Sequence, residues 1–328
     1  MKDYYKINLQ LFAELNTNVT TDSGLSVEMK TFYDMTLVDE ASPNLVHDQF
    51  GQKRPIPKNG GKKIEFRKFA SLPKALTPLT EGVTPDGKKL SAESIEAEVA
   101  QYGDYVTQSD VLELTSLDNT IVEATKILGR QAGLTLDTIT RNVMQSGTNV
   151  FYCPKADGTE VTSRATLDDT CKLTVDVVKK VVAMLRANNA PKINGDYVAI
   201  IHPYVAYDLM SDPAWIEAHK YATPDNIYEG EIGKIAGVRF VETSEAKIYD
   251  NGVFGCLFIA DGAYGITEIT GGGLETIVKQ KGSAGTGDPL NQRSTIGWKA
   301  MKTAEILIDA YMVRVECKSA FSGDVEAN

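Results

Sequence analysis

Two different spacings of apolar residues run along this chain, and they divide it. In KIEFRKF (63–69), Ile64 and Phe66 alternate with Glu65 and Arg67, the period of a half-buried strand. SIEAEVAQYGDYV (94–106) alternates again, with Ile95, Ala97 and Val99 on one side and Glu96 and Glu98 on the other. The first run is basic (Lys62, Lys63, Arg67, Lys68) and the second acidic (Glu93, Glu96, Glu98). Opposite charges across an antiparallel pair favour its register by a few tenths of a kcal/mol per pair. Residues 58–108 are therefore expected to form one long β-hairpin. Its tip, LPKALTPLTEGVTPDGKKLS (72–91), is polar and carries Pro73, Pro78 and Pro85. A two-stranded ribbon is at best marginally stable alone in water. A projecting one needs something to lie against, and another subunit is the natural candidate.

The next segment has helical spacing. In 116–147, Ile121, Leu128, Ala132, Ile139 and Val143 fall near one face. Asp118 or Thr120 can cap the start, Glu123 completes a capping box from Thr120, and Gly147 supplies a stop. At 1.5 Å per residue such a helix is about 40 Å long.

From 173 the spacing switches repeatedly. LTVDVVKKVVAMLRANNA places Val177, Val178, Val181, Val182 and Leu185 on one helical face with Thr174 as cap. DYVAII is a buried strand, and HPYVAYDLMSD a short helix opened by Pro203. Strands are expected in GEIGKIAGVRFVETS and GVFGCLFIADGAYGITEI, and ITGGGLETIVK as two strands joined by Gly271, Gly272 and Gly273. KGSAGTGDPLNQ is a flexible loop, and AEILIDAYMVRVECKSA (304–320) is expected as one long strand. Ahead of the ribbon, residues 1–57 are expected to form an extended arm with short helical pieces, Val27, Phe32, Met35 and Val38 marking one of them. Pro55, Pro57 and Gly60-Gly61 end that arm in a turn.

Composition narrows the function more than the fold. A net charge of −10 argues against broad wrapping of nucleic acid, which needs clustered Lys and Arg, although it allows DNA to be enclosed without being gripped. The four cysteines, Cys153, Cys171, Cys256 and Cys317, form no C-x-x-C pair and are expected as buried thiols in a reducing compartment. Asn8 and Gln10 interrupt what would be the apolar stretch of a signal peptide, and no apolar run approaches the ~20 residues of a membrane span.

Candidate chemistry is sparse. His47, His202 and His219 are scattered, and His202 before Pro203 is expected to bond locally at a strand end. GEIGKI (230–235) lacks the spacing of a phosphate loop, since two residues separate Gly230 from Gly233 and Ile235 follows Lys234. GSAGTG has the wrong glycine intervals for a dinucleotide turn, and there is no G-x-S-x-G elbow. Asp168-Asp169 is expected as an exposed loop pair. No catalytic residue, cofactor or metal ligand is assigned, and the chain is expected not to be an enzyme.

The order of elements (arm, long hairpin, long helix, α/β insertion, returning strand) resembles the major capsid proteins of tailed bacteriophages, with the HK97-like fold. GLSVEMKTFYDMTLVDEASPNLVHDQFGQKRPIPKNGGKKIEFRKF, LPKALTPLTEGVTPDG, QAGLTLDTITRNVM and DPLNQRSTIGWKAMKTAEILIDAYMVRVECKS are similar to the podophage-N-four-type major capsid family. INLQLFAE is similar to starts of virion proteins from phages of Gram-positive hosts. The resemblance implies an α+β chain divided into an N-terminal arm (1–57), an extended loop over the adjacent subunit (58–108), a peripheral domain (109–172) with its spine helix at 116–147, an axial domain (173–262), and return strands to the C-terminus (263–328). Lys74, Pro78, Glu81, Pro85, Lys88 and Lys89 in the tip are the implied inter-subunit contacts: prolines lower the entropic cost of ordering the tip, and charges steer the overlap. It also implies self-assembly into hexamers and pentamers of an icosahedral shell around double-stranded DNA, without sequence-specific binding and without a membrane. The short arm points to a separate scaffolding protein and portal, with assembly in the host cytoplasm and residence in the virion. The alternative in another class is the shell of an encapsulin-type bacterial nanocompartment, with the same fold around enzymes.

Overall fold

The computed structural model describes residues 45–57, 59–69, 72–79, 81–82, 84, 86–115, 120–219, 233–268, 272–283 and 287–328. The helical piece expected at 27–38 lies outside the described residues. The chain begins with β1 (Gln52–Lys53), β2 (Lys63–Phe69), β3 (Ala92–Glu98), β4 (Ala100–Ser109), α1 (Asp110–Thr115) and α2 (Thr120–Gln145). There follow β5 (Val150–Tyr152), α3 (Val175–Ala187), β6 (Tyr197–Ile201), α4 (Pro203–Met210), α5 (Pro213–His219), β7 (Lys234–Ile235), β8 (Val238–Glu242) and β9 (Lys247–Tyr249). Last come β10 (Val253–Ile259), β11 (Tyr264–Glu268), β12 (Glu275–Lys279), β13 (Arg293–Ile306) and β14 (Met312–Cys317).

A five-stranded sheet is built on the 14-residue β13. β4 runs antiparallel along one edge from Ala100↔Lys302 to Ser109↔Arg293. β11 and β12 share the opposite edge end to end, pairing with 302–306 and 295–299. The glycine-bearing stretch between them is thus an excursion from one edge, not the turn of a hairpin. Along β13, Ile296, Trp298 and Ala300 are buried on one face and pack on Leu128, Ala132 and Leu136 of α2. Of the stripe expected on this helix, Leu128 and Ala132 are fully buried, Ile121 and Ile139 are partly buried and pack on the same cluster, and Val143 is partly buried; Thr140 and Met144 are buried as well. The helix ends at Gln145, and Gly147 just beyond it is required by close approach: a Cβ there would lie 2.8 Å from the Asp309 carboxylate.

A seven-stranded sheet, in the order β5-β14-β10-β6-β8-β7 with β9 beside β10, forms the second body. β6 and β10 are buried on both faces, which explains their unbroken apolar sequences. Tyr197, Ala199 and Ile201 face α3, whose Thr174 cap and apolar face are as the spacing predicts. Val198 and Ile200 face the other way and join Met144, Leu257, Tyr264 and Met312 where the two bodies meet. The sequence pattern over 304–320 needs correcting here. The chain turns in a 3-10 helix at Asp309–Tyr311 and changes sheets, because the Asp309 carboxylate accepts from the backbone N–H and hydroxyl of Thr148 at the end of α2.

β2 and β3 make a separate two-stranded ribbon. The hairpin expected over 58–108 pairs only as far as Glu98. Val99 is buried, its N–H reaches Lys62 O at 2.9 Å, and from Ala100 the chain enters the larger sheet.

Residues 45–53 are held by buried polar contacts. His47 gives Asp137 its backbone N–H (2.7 Å) and an Nδ1 contact (2.6 Å), and Tyr264 donates its hydroxyl to His47 O. Asp48 accepts from Thr140 Oγ1 at 2.6 Å and from Lys302, whose ammonium also reaches Leu136 O at 3.0 Å. Lys302 thus ties the N-terminal segment, α2 and β13 at one point.

Candidate assembly surface

The ribbon is anchored at one end only. Phe66 and Ala97 turn inward and are buried, and a Cβ on Gly265 would lie 3.0 Å from the Phe66 ring. The Arg54 guanidinium stands 5.8 Å from the same ring. Lys63 sits opposite Glu98 on the outer face, and Lys68 opposite Glu93 on the face of Phe66 and Ala97, so basic and acidic runs are paired. The register also sets Glu65 directly opposite Glu96. That repulsion is relieved sideways, by Arg67 on Glu65 at 3.1 Å and Lys63 on Glu96 at 3.5 Å. The Ser94 side chain, then Arg67, hold the Glu65 carboxyl below its usual range.

Beyond Phe69 and Ala92 no described residue of the tip is in a strand, and all those described are exposed. Lys74, Pro78, Glu81, Lys88 and Lys89 lie there on the surface, while Pro85 lies outside the described residues. The tip is less polar than its charges suggest. Leu76 is 82 % exposed and Leu79 77 %, with Leu72 and Leu90 also in solvent. Those leucines stand in plain view in the sequence, and their lack of either strand or helix environment is the signal that was passed over.

A second exposed apolar surface lies on the five-stranded sheet, on the face away from α2. Gly103 and Gly297 leave a shallow groove of about 360 Å³ bordered by Tyr105 and Ile277. The glycines are required by close approach: a Cβ on Gly103 would meet Trp298 O at 2.5 Å, and one on Gly297 would meet Tyr105 Cβ at 2.7 Å. Leu114 on α1 and Ile127 on α2 are exposed as well.

The remaining candidates resolve into structural roles. His202 ends β6 and caps α4, its Nδ1 accepting from Tyr204 N at 3.2 Å, and burial lowers its pKa below 6.5. Neutral imidazole is therefore the stable folded form, and its contribution is full above pH 6.5 and is lost as pH falls below that value, where the unfolded chain takes up the proton first. A His202→Asn variant should lose less stability than wild type between pH 7 and pH 5.5 in chemical denaturation; equal losses would contradict the cap. Asp168 and Asp169 are held by Lys155 (2.9 Å) and Lys318 (3.0 Å). His219 closes α5.

All four cysteines are free and buried. Cys256 and Cys317 approach to 3.9 Å. Burial pushes the Cys153 thiol well up; for Cys256 the Cys317 sulfur does so first and burial second. The Cys153 and Cys256 sulfurs lower the Cys317 thiol in turn. Protection therefore rests on burial of all four sulfurs: native protein should consume less than one equivalent of a bulky thiol reagent and denatured protein four. Rapid native labelling would show the core to be more open than described. Among the described residues no group of His, Cys, Asp and Glu is arranged to hold a metal ion, and no helix is long and apolar enough to cross a membrane.

An anchored ribbon with an unpaired apolar tip, beside a long helix crossing a sheet, is the equipment of a subunit that meets copies of itself. The phage capsid protein family model matches residues 92–313, more than half of the chain. The chain belongs to the phage capsid protein family. Its fold is that of solved HK97-like capsid subunits. The capsid of cyanophage P-SCSP1u matches with a TM-score of 0.65 at 14% identity, over 84% of this chain and 89% of that one. The cyanophage Pam1 capsid gives 0.66 at 13% identity, over 85% and 92%. A virus-like particle from Pyrococcus furiosus gives 0.50 at 12% identity, over 88% and 99%. No curated protein matches the sequence. A capsid protein of this family forms the shell of the virion.

Proposed function

We propose that this capsid protein closes an icosahedral shell of hexamers and pentamers around the double-stranded DNA of a tailed phage of the N-four-type group. In this reading residues 58–108 are the extended loop, lying over an adjacent subunit. Residues 109–172 and 263–328 form the peripheral domain around the spine helix, 173–262 the axial domain near the symmetry axes, and 1–57 the arm. Its role is structural, without catalysis. A separate scaffolding protein and a portal complete the assembly in the host cytoplasm.

The exposed tip of an anchored ribbon carries the reading. Fully burying a leucine is worth about 1.5–3 kcal/mol, and Leu76 and Leu79 gain nothing of this within their own subunit. The occupant that fits is a second copy, whose sheet offers the groove between Gly103 and Gly297 with Tyr105 and Ile277 at its border. Lys74, Glu81, Lys88 and Lys89 surround the leucines and set the approach, while Pro78 and Pro85 limit the tip's unfolded conformations.

Light scattering and negative-stain microscopy of the purified chain, alone and with the candidate scaffold, test assembly. Closed particles are expected, and a monomer under both conditions would refute the shell. The likeness to the Pyrococcus furiosus particle favours one second reading, a nanocompartment shell. Nuclease-protected DNA inside native particles supports the phage reading, and a co-purified enzyme cargo the other.

A further inference from the structure

β4 is the outermost strand on one side of the five-stranded sheet, and its outer edge is open. It pairs with β13 alone, residue for residue from Ala100 to Ser109, without a bulge. Just past its end the Asp110 N–H donates to Gln292 O at 2.9 Å, which carries the register one step further. Bonded positions alternate along an antiparallel ladder, so the even-numbered residues of β4 direct their N–H and C=O at β13. Gln101, Gly103, Tyr105 and Thr107 turn theirs outward. The far side of β13 agrees: Met301, opposite Gln101, sends its N–H away from β4 to Gly272 O at 2.8 Å. Every residue of β4 except Tyr102 and Gln108 is exposed.

Long open edges are normally blunted by Lys, Pro, a bulge or a covering element. β4, AQYGDYVTQS, contains neither Lys nor Pro, and its one charged side chain is turned onto α2. Asp104 Oδ2 accepts from Gln131 Nε2 at 2.6 Å, and Oδ1 accepts the Tyr105 N–H at 2.8 Å. The Gln131 bond first and the Tyr105 N–H second hold this carboxyl below its usual range. Among the described residues, the outward N–H groups of Gln101, Gly103 and Thr107 have no partner, nor have the carbonyls of these three and Tyr105.

We propose that residues 72–79 of a second copy's tip add to this edge as a further β-strand. This rests on the reading of the tip as an inter-subunit contact and says how the contact is made. A virion shell sets copies of the chain side by side. An edge without outward charge has nothing to select a strongly charged partner. LPKALTPL is exposed throughout and in no strand, and it keeps the backbone N–H groups of Lys74, Ala75, Leu76 and Thr77 between Pro73 and Pro78. Main-chain bonds to an open edge supply affinity, and side chains at alternate positions supply the fit. Asp104 lies on the α2 face, so Gly103 and Tyr105 lie on the other, where they border the groove. A strand beside β4 sets alternate side chains next to Gly103, which has no Cβ to bar them, and from there Leu76 enters the groove.

Hydrogen exchange at single-residue resolution, on isolated subunits and on assembled shells, tests the pairing. In the subunit the amides of Gln101, Gly103 and Thr107 should exchange freely, while those of Tyr102, Asp104 and Val106 are slow. In shells the three outward amides should slow by at least about tenfold, with alternate amides among Lys74–Thr77 slowing alongside. Free exchange of the outward amides in closed shells overturns the pairing and leaves the shell reading intact. Slow exchange already in the subunit means that the chain covers its own edge, and slowing on β4 without the tip gives the edge to another segment; either overturns the assignment. Thr107→Pro removes an outward donor and no bond to β13, a position where an edge strand accepts proline. It should melt within a few degrees of wild type and form no closed shells; normal shells from it overturn the pairing. If it does not fold, the wild-type exchange decides alone. Should no shell form under any condition, the shell reading fails by itself. The pairing is then decided on isolated subunits with an excess of the LPKALTPL peptide, where slowing of the same three amides sustains it and unchanged exchange overturns it.

Discussion

A subunit with Leu76→Asp and Leu79→Asp should fold as wild type does and form no closed shells. Both leucines are exposed within the subunit, so the change removes no intramolecular packing, and surface substitutions of this kind stay within about 0.5 kcal/mol. The melting temperature should therefore move by only a few degrees. In the proposed shell the same side chains lie against a neighbour. Each loses about 1.5–3 kcal/mol of burial, and each new carboxylate must be desolvated as well. The penalty recurs at every copy, so a cooperative assembly shifts from closed particles to free subunits. Deleting residues 74–88 should do the same and leave a folded subunit. Circular dichroism checks folding, and light scattering with negative-stain microscopy checks assembly. Normal shells from the double variant would show that the tip is not a contact, and a collapsed fold would show that it is not an arm.

How far the sequence carried the structure can be traced residue by residue. Alternation found β2 and β3, their inward and outward faces, and two of their charge pairings, because a half-exposed ribbon writes its geometry into every second residue. Helical spacing located α2 and α3, and the capping residue Thr174 the start of α3. Buried strands were legible from unbroken apolar runs. What alternation cannot show is a change of partner. Val99 keeps the period of β3, so nothing marks the point where the chain leaves the ribbon for β13. Ile306, Ile308, Ala310 and Met312 likewise keep a strand period through a 3-10 turn, because both sheets bury alternate residues on either side of it.

The apolar stripe of α2 gives only part of its buried face, for a related reason. Asp137, Thr140 and Arg141 are buried there, and a search for apolar spacing passes over polar residues whose partners come from elsewhere in the chain. Asp137 is satisfied by His47, ninety positions away.

The same blind spot hides the residue with the largest expected effect on stability. Lys302 lies on the buried face of β13, in line with Ile296, Trp298 and Ala300, and is 2% exposed. Its ammonium holds the Asp48 carboxylate and the carbonyl of Leu136. Lys302→Ala leaves Asp48, among the described residues, with only Thr140 for a side-chain partner and leaves a cavity beside α2. Removing one member of a buried ion pair costs about 3–5 kcal/mol, because the other charge remains desolvated. Urea denaturation should show a loss of that size, with protease cutting near 45–53 well before global unfolding as the segment detaches from α2. Asp48→Leu with Lys302→Met should recover most of the stability, since an apolar pair of similar volume needs no desolvation. A single variant within 1 kcal/mol of wild type would mean that the contact is replaced by water. A double variant no better than the single would place the loss in the hydrogen bonds to Leu136 O and Thr140 Oγ1, rather than in the unpaired charge.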